Sequence, residues 1–214
     1  MDIPLKLYQK AEETTDAAYA AIIEESPWLT PEGGLEAEVR RLAALPASLK
    51  SKYRHFVRLA DRISDAVDKH SQCKRGCSHC CHISVGITET EAELIGEAIK
   101  IRPTKPESSY TLFDERMIDH EEFKAAYFGK PCGFLDGSDC SIYEHRPIAC
   151  RLHHNLGDAF FCRVDVPIEE SMVSTLDTRS LTNALMVLMV QKKPGLRLAD
   201  IREFFPKGLG KHAG

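Results

Sequence analysis

Apolar positions recur at helical spacing along most of the chain. Leu49, Tyr53, Phe56, Ala60, Ile63 and Val67 step by 4, 3, 4, 3 and 4 residues, while Lys50, Arg54, Arg58, Asp61 and Asp65 fall on the other side. That pattern predicts an amphipathic helix over about 47–71. Tyr8, Ala11, Ala18 and Ile22 share one face and predict an earlier helix over 5–25. The stretch "SPWLTPEGG" at 26–34 reads as a loop, with a short helix near 34–45 after it. Thr88 followed by Glu91 forms a capping box that opens a helix to about 101, closed before Pro103. "LFDERMIDHEEFKAAYF" at 112–128 predicts another helix, stopped at Gly129. Towards the C-terminus a long apolar helix is expected around 174–192, with Leu181, Leu185 and Leu188 as its core face, and "LADIREFF" at 198–205 reads as a short last helix.

Strand signals are few. "ISVGI" at 83–87 is one, and "CGFL" and "CSIY" flank Asp136-Gly137, a pair suited to a tight turn. The expected fold class is mainly α: helical flanks around an irregular, metal-stapled cysteine-rich region with at most a small β-hairpin. With no internal repeat, the chain reads as a single domain made of a helical flank (1–72), a cysteine region (73–162) and a second helical flank (163–214).

Composition narrows the chemistry. At 214 residues and 43% hydrophobic the chain can bury a core without covalent staples. Its 28 Lys and Arg against 32 Asp and Glu give a net charge of −4, which argues against a polybasic binder of nucleic acid or anionic membrane. The first residues lack a basic segment followed by an apolar one, and the longest apolar run, "ALMVLMV" at 184–190, is too short to span a bilayer. A soluble cytoplasmic protein is expected. In a reducing compartment its cysteines are better read as metal ligands than as disulfides.

The eight cysteines are segregated between positions 73 and 162. "CKRGCSHCC" at 73–81 places four of them in nine positions, Cys73, Cys77, Cys80 and Cys81. Two or three intervening residues let one loop turn its thiolates towards a soft or borderline ion. Adjacent side chains diverge in extended or helical backbone, so Cys80 and Cys81 are expected to serve different ions or different corners of a cluster. "PCGFLDGSDCSIYEHRPIACR" supplies Cys132, Cys140 and Cys150. Seven thiols in two groups suit a two-metal or bridged site better than one ion. Cys162, in "AFFCRV", reads more simply as a small buried hydrophobe, and His79, His82, His153 and His154 as surface or supporting residues that are open as nitrogen ligands. The segments 73–87 and 129–155, with little regular core of their own, are expected to depend on the metal for their order.

The loop ending in Cys80-Cys81, the cysteine before "FL" and the run "CSIYEHRPIACR" resemble the zinc- or iron-chelating cysteine-cluster family, CxxCxxCC, often called YkgJ-like. The resemblance covers about 73–152, and its most specific part is Cys140, Ile142, Tyr143, Arg146, Pro147, Cys150 and Arg151. This chain has three residues between Cys73 and Cys77 where the family motif has two. The resemblance implies zinc or iron, as a mononuclear, two-metal or iron–sulfur site. Some larger proteins with a similar cluster are flagellin lysine methylases, which look like iron–sulfur enzymes.

Cys73, Cys77 and Cys80 also fit the spacing of radical S-adenosylmethionine enzymes. His79, the extra thiol of Cys81 and the missing strand–helix alternation stand against that reading. Three functional readings follow: a metal-binding protein whose metal is structural, stored or handed on; an iron–sulfur enzyme, oxidoreductase or protein-modifying; and a metal-stapled module docking a protein partner. Tyr143, Arg146 and Arg151 fit as braces for the cysteine loops, as donors to sulfur or as anion-binding groups. No phosphate loop, catalytic triad order or carboxylate pair stands out.

Overall fold

The computed structural model describes residues 4–30, 32–74, 76–107, 110–111, 120–193 and 195–209. In chain order its elements are α1 (Leu5–Glu25), α2 (Leu35–Ala44), α3 (Leu49–Asp68), β1 (Gly86–Thr88), α4 (Glu89–Ile99), β2 (Tyr110–Thr111), α5 (His120–Ala126), β3 (Leu135–Asp136), β4 (Asp139–Cys140), α6 (Ile148–Leu152), α7 (Arg179–Lys192), β5 (Arg197–Asp200) and α8 (Ile201–Phe204). The fold is mainly α. Its strands are confined to a three-stranded sheet ordered β1-β5-β2 and the hairpin β3-β4. Among the described residues no helix is long and apolar enough to cross a membrane. The chain divides into two compact units, one of residues 1–74 and 151–188, the other of 75–150 and 189–214. The expected second flank, 163–214, is thereby shared between them.

In the first unit α3 carries the core. Tyr53, Phe56, Ala60, Ile63 and Val67 are buried as the periodicity requires, and Leu59 widens the stripe. Five large apolar side chains at about 2 kcal/mol each outweigh anything intrinsic helix propensity supplies, so packing, not propensity, holds this helix. Ser48 starts it by accepting a hydrogen bond from the Ser51 amide. Val39 and Leu42 of α2 and Ala18 and Ile22 of α1 are also buried. The loop at 26–34 holds a 3-10 turn, Pro27–Leu29, that buries Leu29. α7 starts later than the periodicity suggests. Asp177 accepts from the Arg179 amide at 3.0 Å and fixes the first turn there. Leu181 and Leu185 are buried, but the next buried position on this face is Met189, with Leu188 only half-buried.

The second unit is built on the sheet. β5 pairs antiparallel with β1 (Gly86↔Asp200, Ile87↔Ala199, Thr88↔Leu198) and with β2 (Tyr110↔Leu198). "LADIREFF" is therefore not one helix. Leu198, Ala199 and Asp200 are extended, because β5 completes a sheet whose partners lie about a hundred residues earlier, and only Ile201–Phe204 is helical. Thr88 caps α4 by accepting from the Glu91 amide at 3.1 Å. The Glu91 carboxylate accepts from the Ile148 amide at 3.1 Å. A Cβ on Gly96 would lie 2.4 Å from the Ile101 carbonyl oxygen, so only glycine allows the chain to fold back where α4 ends. Of the helix expected over 112–128, residues 112–119 lie outside the described residues, and α5 covers His120–Ala126. Ile87, Ile95, Phe134, Ile142, Phe204 and Phe205 form the apolar centre, and Cys132, Cys140 and Cys150 pack against it.

Candidate metal centre

Three local structures bring thiols into the second unit. The 3-10 turn His79–His82 carries Cys80 and Cys81. It is closed by the Cys81 amide donating to the Ser78 carbonyl at 2.9 Å, and His82 Nδ1 donates to the same carbonyl at 3.0 Å. The hairpin brings Cys132 and Cys140 together from either side of its turn, where Leu135 pairs with Cys140 and Gly137 takes a left-handed φ of 59°. α6 supplies Cys150. The first two pieces are joined directly: the Cys132 amide donates to the Cys81 carbonyl at 2.7 Å, and the Gly129 amide to the His82 carbonyl at 2.8 Å.

The thiols sense one another. Cys80 hydrogen-bonds to Cys81, and this contact first, with burial second, pushes the Cys80 thiol far above its ordinary range. Burial does the same to Cys150, reinforced by Cys80, Cys132 and Cys140. Cys140 is raised by burial and by Cys80, and Cys132 by burial and by Cys140. Five sulfurs are thus neighbours. Opposing forces are also built in. The Phe134 amide donates to the Cys132 sulfur and the Ile142 amide to the Cys140 sulfur, each two residues on, and both bonds favour the thiolate. Arg146 lies close enough to lower Cys80 and Cys140, with its guanidinium 3.9 Å from the Tyr143 ring centroid.

The expected divergence of Cys80 and Cys81 is not what the turn produces. A 3-10 turn crowds neighbouring side chains more than a strand does, and the two sulfurs meet. Sulfurs on one tetrahedral zinc stand about 3.8 Å apart, given bonds near 2.3 Å. Contact between adjacent thiols is therefore compatible with a shared ion as well as with a bridge.

The other candidates are placed differently. Cys77 is exposed, three residues before Cys80. Cys73 belongs to the first unit, where its sulfur accepts from the Asn155 amide at 3.4 Å; the Asn155 side chain donates to Cys162 at 3.0 Å. His153 and His154 are also in the first unit. Burial, and then His154, lower the His153 ring below its ordinary value, and His154 Nε2 meets Ser64 Oγ at 3.1 Å. Arg151 pairs with Asp61 of α3.

Sequence reasoning missed Asp200 and Arg202. Asp200, 1% exposed, accepts from the Val85 amide at 2.6 Å and pairs with Arg202, whose guanidinium donates to the carbonyls of Cys81, Ile83, Lys130 and Pro131. The available signal was Asp200 as an N-cap residue opening a short apolar turn.

Soft thiol donors, with amides aimed at two of the sulfurs, suit zinc or iron in kind. Among the described residues no group of three or more His, Cys, Asp or Glu side chains is already arranged to hold an ion. Residues 72–174 match the model of the CxxCxxCC family, described as "Putative zinc- or iron-chelating domain". No curated protein and no solved structure matches the chain.

Proposed function

We propose that residues 72–174, which match the model of the zinc- or iron-chelating family, bind their metal through the thiols of Cys77, Cys80, Cys81, Cys132, Cys140 and Cys150. The observation that carries this reading is that a turn, a hairpin and a helix bring five of these sulfurs within reach of one another, three of them, Cys132, Cys140 and Cys150, packed against one apolar core. Thiols at neutral pH are poor ligands until deprotonated. Arg146 and the amides of Phe134 and Ile142 lower that barrier at Cys80, Cys132 and Cys140. The metal, when bound, supplies the positive charge that keeps the thiolates ionised.

Protein purified without oxygen answers the question by elemental analysis and a visible spectrum. Colourless protein with bound zinc, or brown protein with iron and sulfide, supports the reading and names the metal. Cys77→Ser and Cys150→Ser should each lower metal content; unchanged stoichiometry in both sinks the ligand assignment. Cys73→Ser marks the boundary of the site, because loss of metal in that variant would bring Cys73 into the ligand set.

A further inference from the structure

Arg202 lies in α8, outside residues 72–174. Its planar fork reaches two separate stretches of chain. Nη2 donates to the Cys81 carbonyl at 3.1 Å and the Lys130 carbonyl at 2.9 Å, Nη1 to Ile83 at 3.3 Å, and Nε to Pro131 at 3.1 Å. Each stretch adjoins a proposed ligand: Cys81 begins the first, and Cys132 immediately follows Pro131 of the second. The fork is itself fixed. Nη1 donates to Asp200 Oδ1 at 2.9 Å, and the guanidinium stands 4.9 Å from the Tyr127 ring centroid. Tyr127 in turn donates to Glu203, the residue next to Arg202.

We propose that Arg202 is the positioning residue of the thiol centre: by joining the backbone of 81–83 to that of 130–131, it sets the separation of Cys81 and Cys132 before a metal arrives. The inference rests on the thiols being the zinc or iron ligands. Chain ordered in advance does not have to be ordered at binding, so affinity rises without any new bond to the metal. Arginine is required by the geometry. Five donors in one plane meet four carbonyls and a carboxylate, whereas the three donors of an ammonium radiate from one point. The Cys132–Cys81 and Gly129–His82 backbone bonds do not involve Arg202, so its loss loosens the two stretches without detaching them.

The test compares the full-length wild type with Arg202→Lys and Arg202→Met, each stripped of metal and titrated with zinc against a coloured chelator, and with ferrous ion without oxygen. Zinc affinity should fall about tenfold or more in both variants, the range seen when groups supporting metal ligands are removed. In the metal-free variants the amides of Cys81, Gly129 and Cys132 should exchange faster while those of α3 are unchanged. Arg202→Lys should keep a near wild-type melting temperature, because the ammonium still pairs with Asp200, and yet not recover affinity. If the lysine variant binds zinc and ferrous ion as tightly as wild type, or loses affinity only in step with its melting temperature, Arg202 is a structural residue and the inference is wrong. Should Arg202→Met fail to fold, the lysine variant decides. A wild type that takes up neither metal defeats the reading of the thiol centre and this inference with it, whereas tight wild-type binding with unaffected variants defeats the inference alone.

Discussion

Asn155 shows how much a single buried residue organises in the first unit. It is 1% exposed, and its groups are used: its amide donates to Cys73, its Nδ2 to Cys162 and to the Asp158 carbonyl, its Oδ1 accepts from the Gly157 amide and its carbonyl from Gln72. Asn155→Leu keeps the volume and strands the Gly157 amide and the Asp158 carbonyl. A stranded group costs about 1–3 kcal/mol when buried, and Asp158 is only half-buried, so denaturant titration should show a loss of roughly 2–5 kcal/mol. Cys162→Ala, which removes only an acceptor from a donor that keeps Asp158, should cost far less. One of the two thiols at this residue, Cys73, lies four residues before Cys77 in sequence and accepts its hydrogen bond from a position 82 residues on.

At the scale of elements, the caps decide where secondary structure begins. Thr88 ends β1 and caps α4, so Thr88→Ala should cost about 1 kcal/mol from the lost cap, read as a shift in the unfolding midpoint. Asp200 has a heavier duty. It ends β5, caps α8 by accepting from the Arg202 amide at 2.9 Å, takes the Val85 amide and balances the Arg202 charge. Breaking a largely buried pair by removing one partner costs about 3–5 kcal/mol, so Asp200→Ala should destabilise the second unit much more than Thr88→Ala. Equal losses for the two would mean that Asp200 acts only as a cap.

At the scale of the molecule, each unit closes a core of its own, and the response to metal removal should follow that division. α3 buries its stripe without a thiol, so a strong chelator should leave the exchange protection of residues 53–67 and most of the helical circular dichroism unchanged. In the second unit the response should be graded. Residues 77–81 should lose protection, because the turn has little apolar burial, while 86–88 and 197–201 should keep theirs through strand pairing and Asp200. Uniform loss across 76–150 would show that the metal, not the β1–β5 sheet, is the centre of this unit. Strand pairing and the bonds of Arg202 and Asp200 reach into 73–87 and 129–155, so the positions they hold are where exchange protection should outlast the metal.

Periodicity and local chemistry determine much of this protein by themselves. The stripe of α3, the extents of α1 and α2, the Thr88 cap and the small hairpin around Gly137 are legible because each depends on residues within a few turns of one another. The thiol motif is legible for the same reason, its spacings being short. Tertiary structure decided the rest. "LAD" is read with the helix that follows and becomes a strand because β1 and β2, far away in sequence, pair with it on either side. Cys73 accepts from the Asn155 amide, 82 residues on, because hydrogen bonds depend on distance in space and not along the chain. Arg202, 121 residues after Cys81, comes to hold the Cys81 carbonyl only once β5 is in register, and no local pattern carries that information.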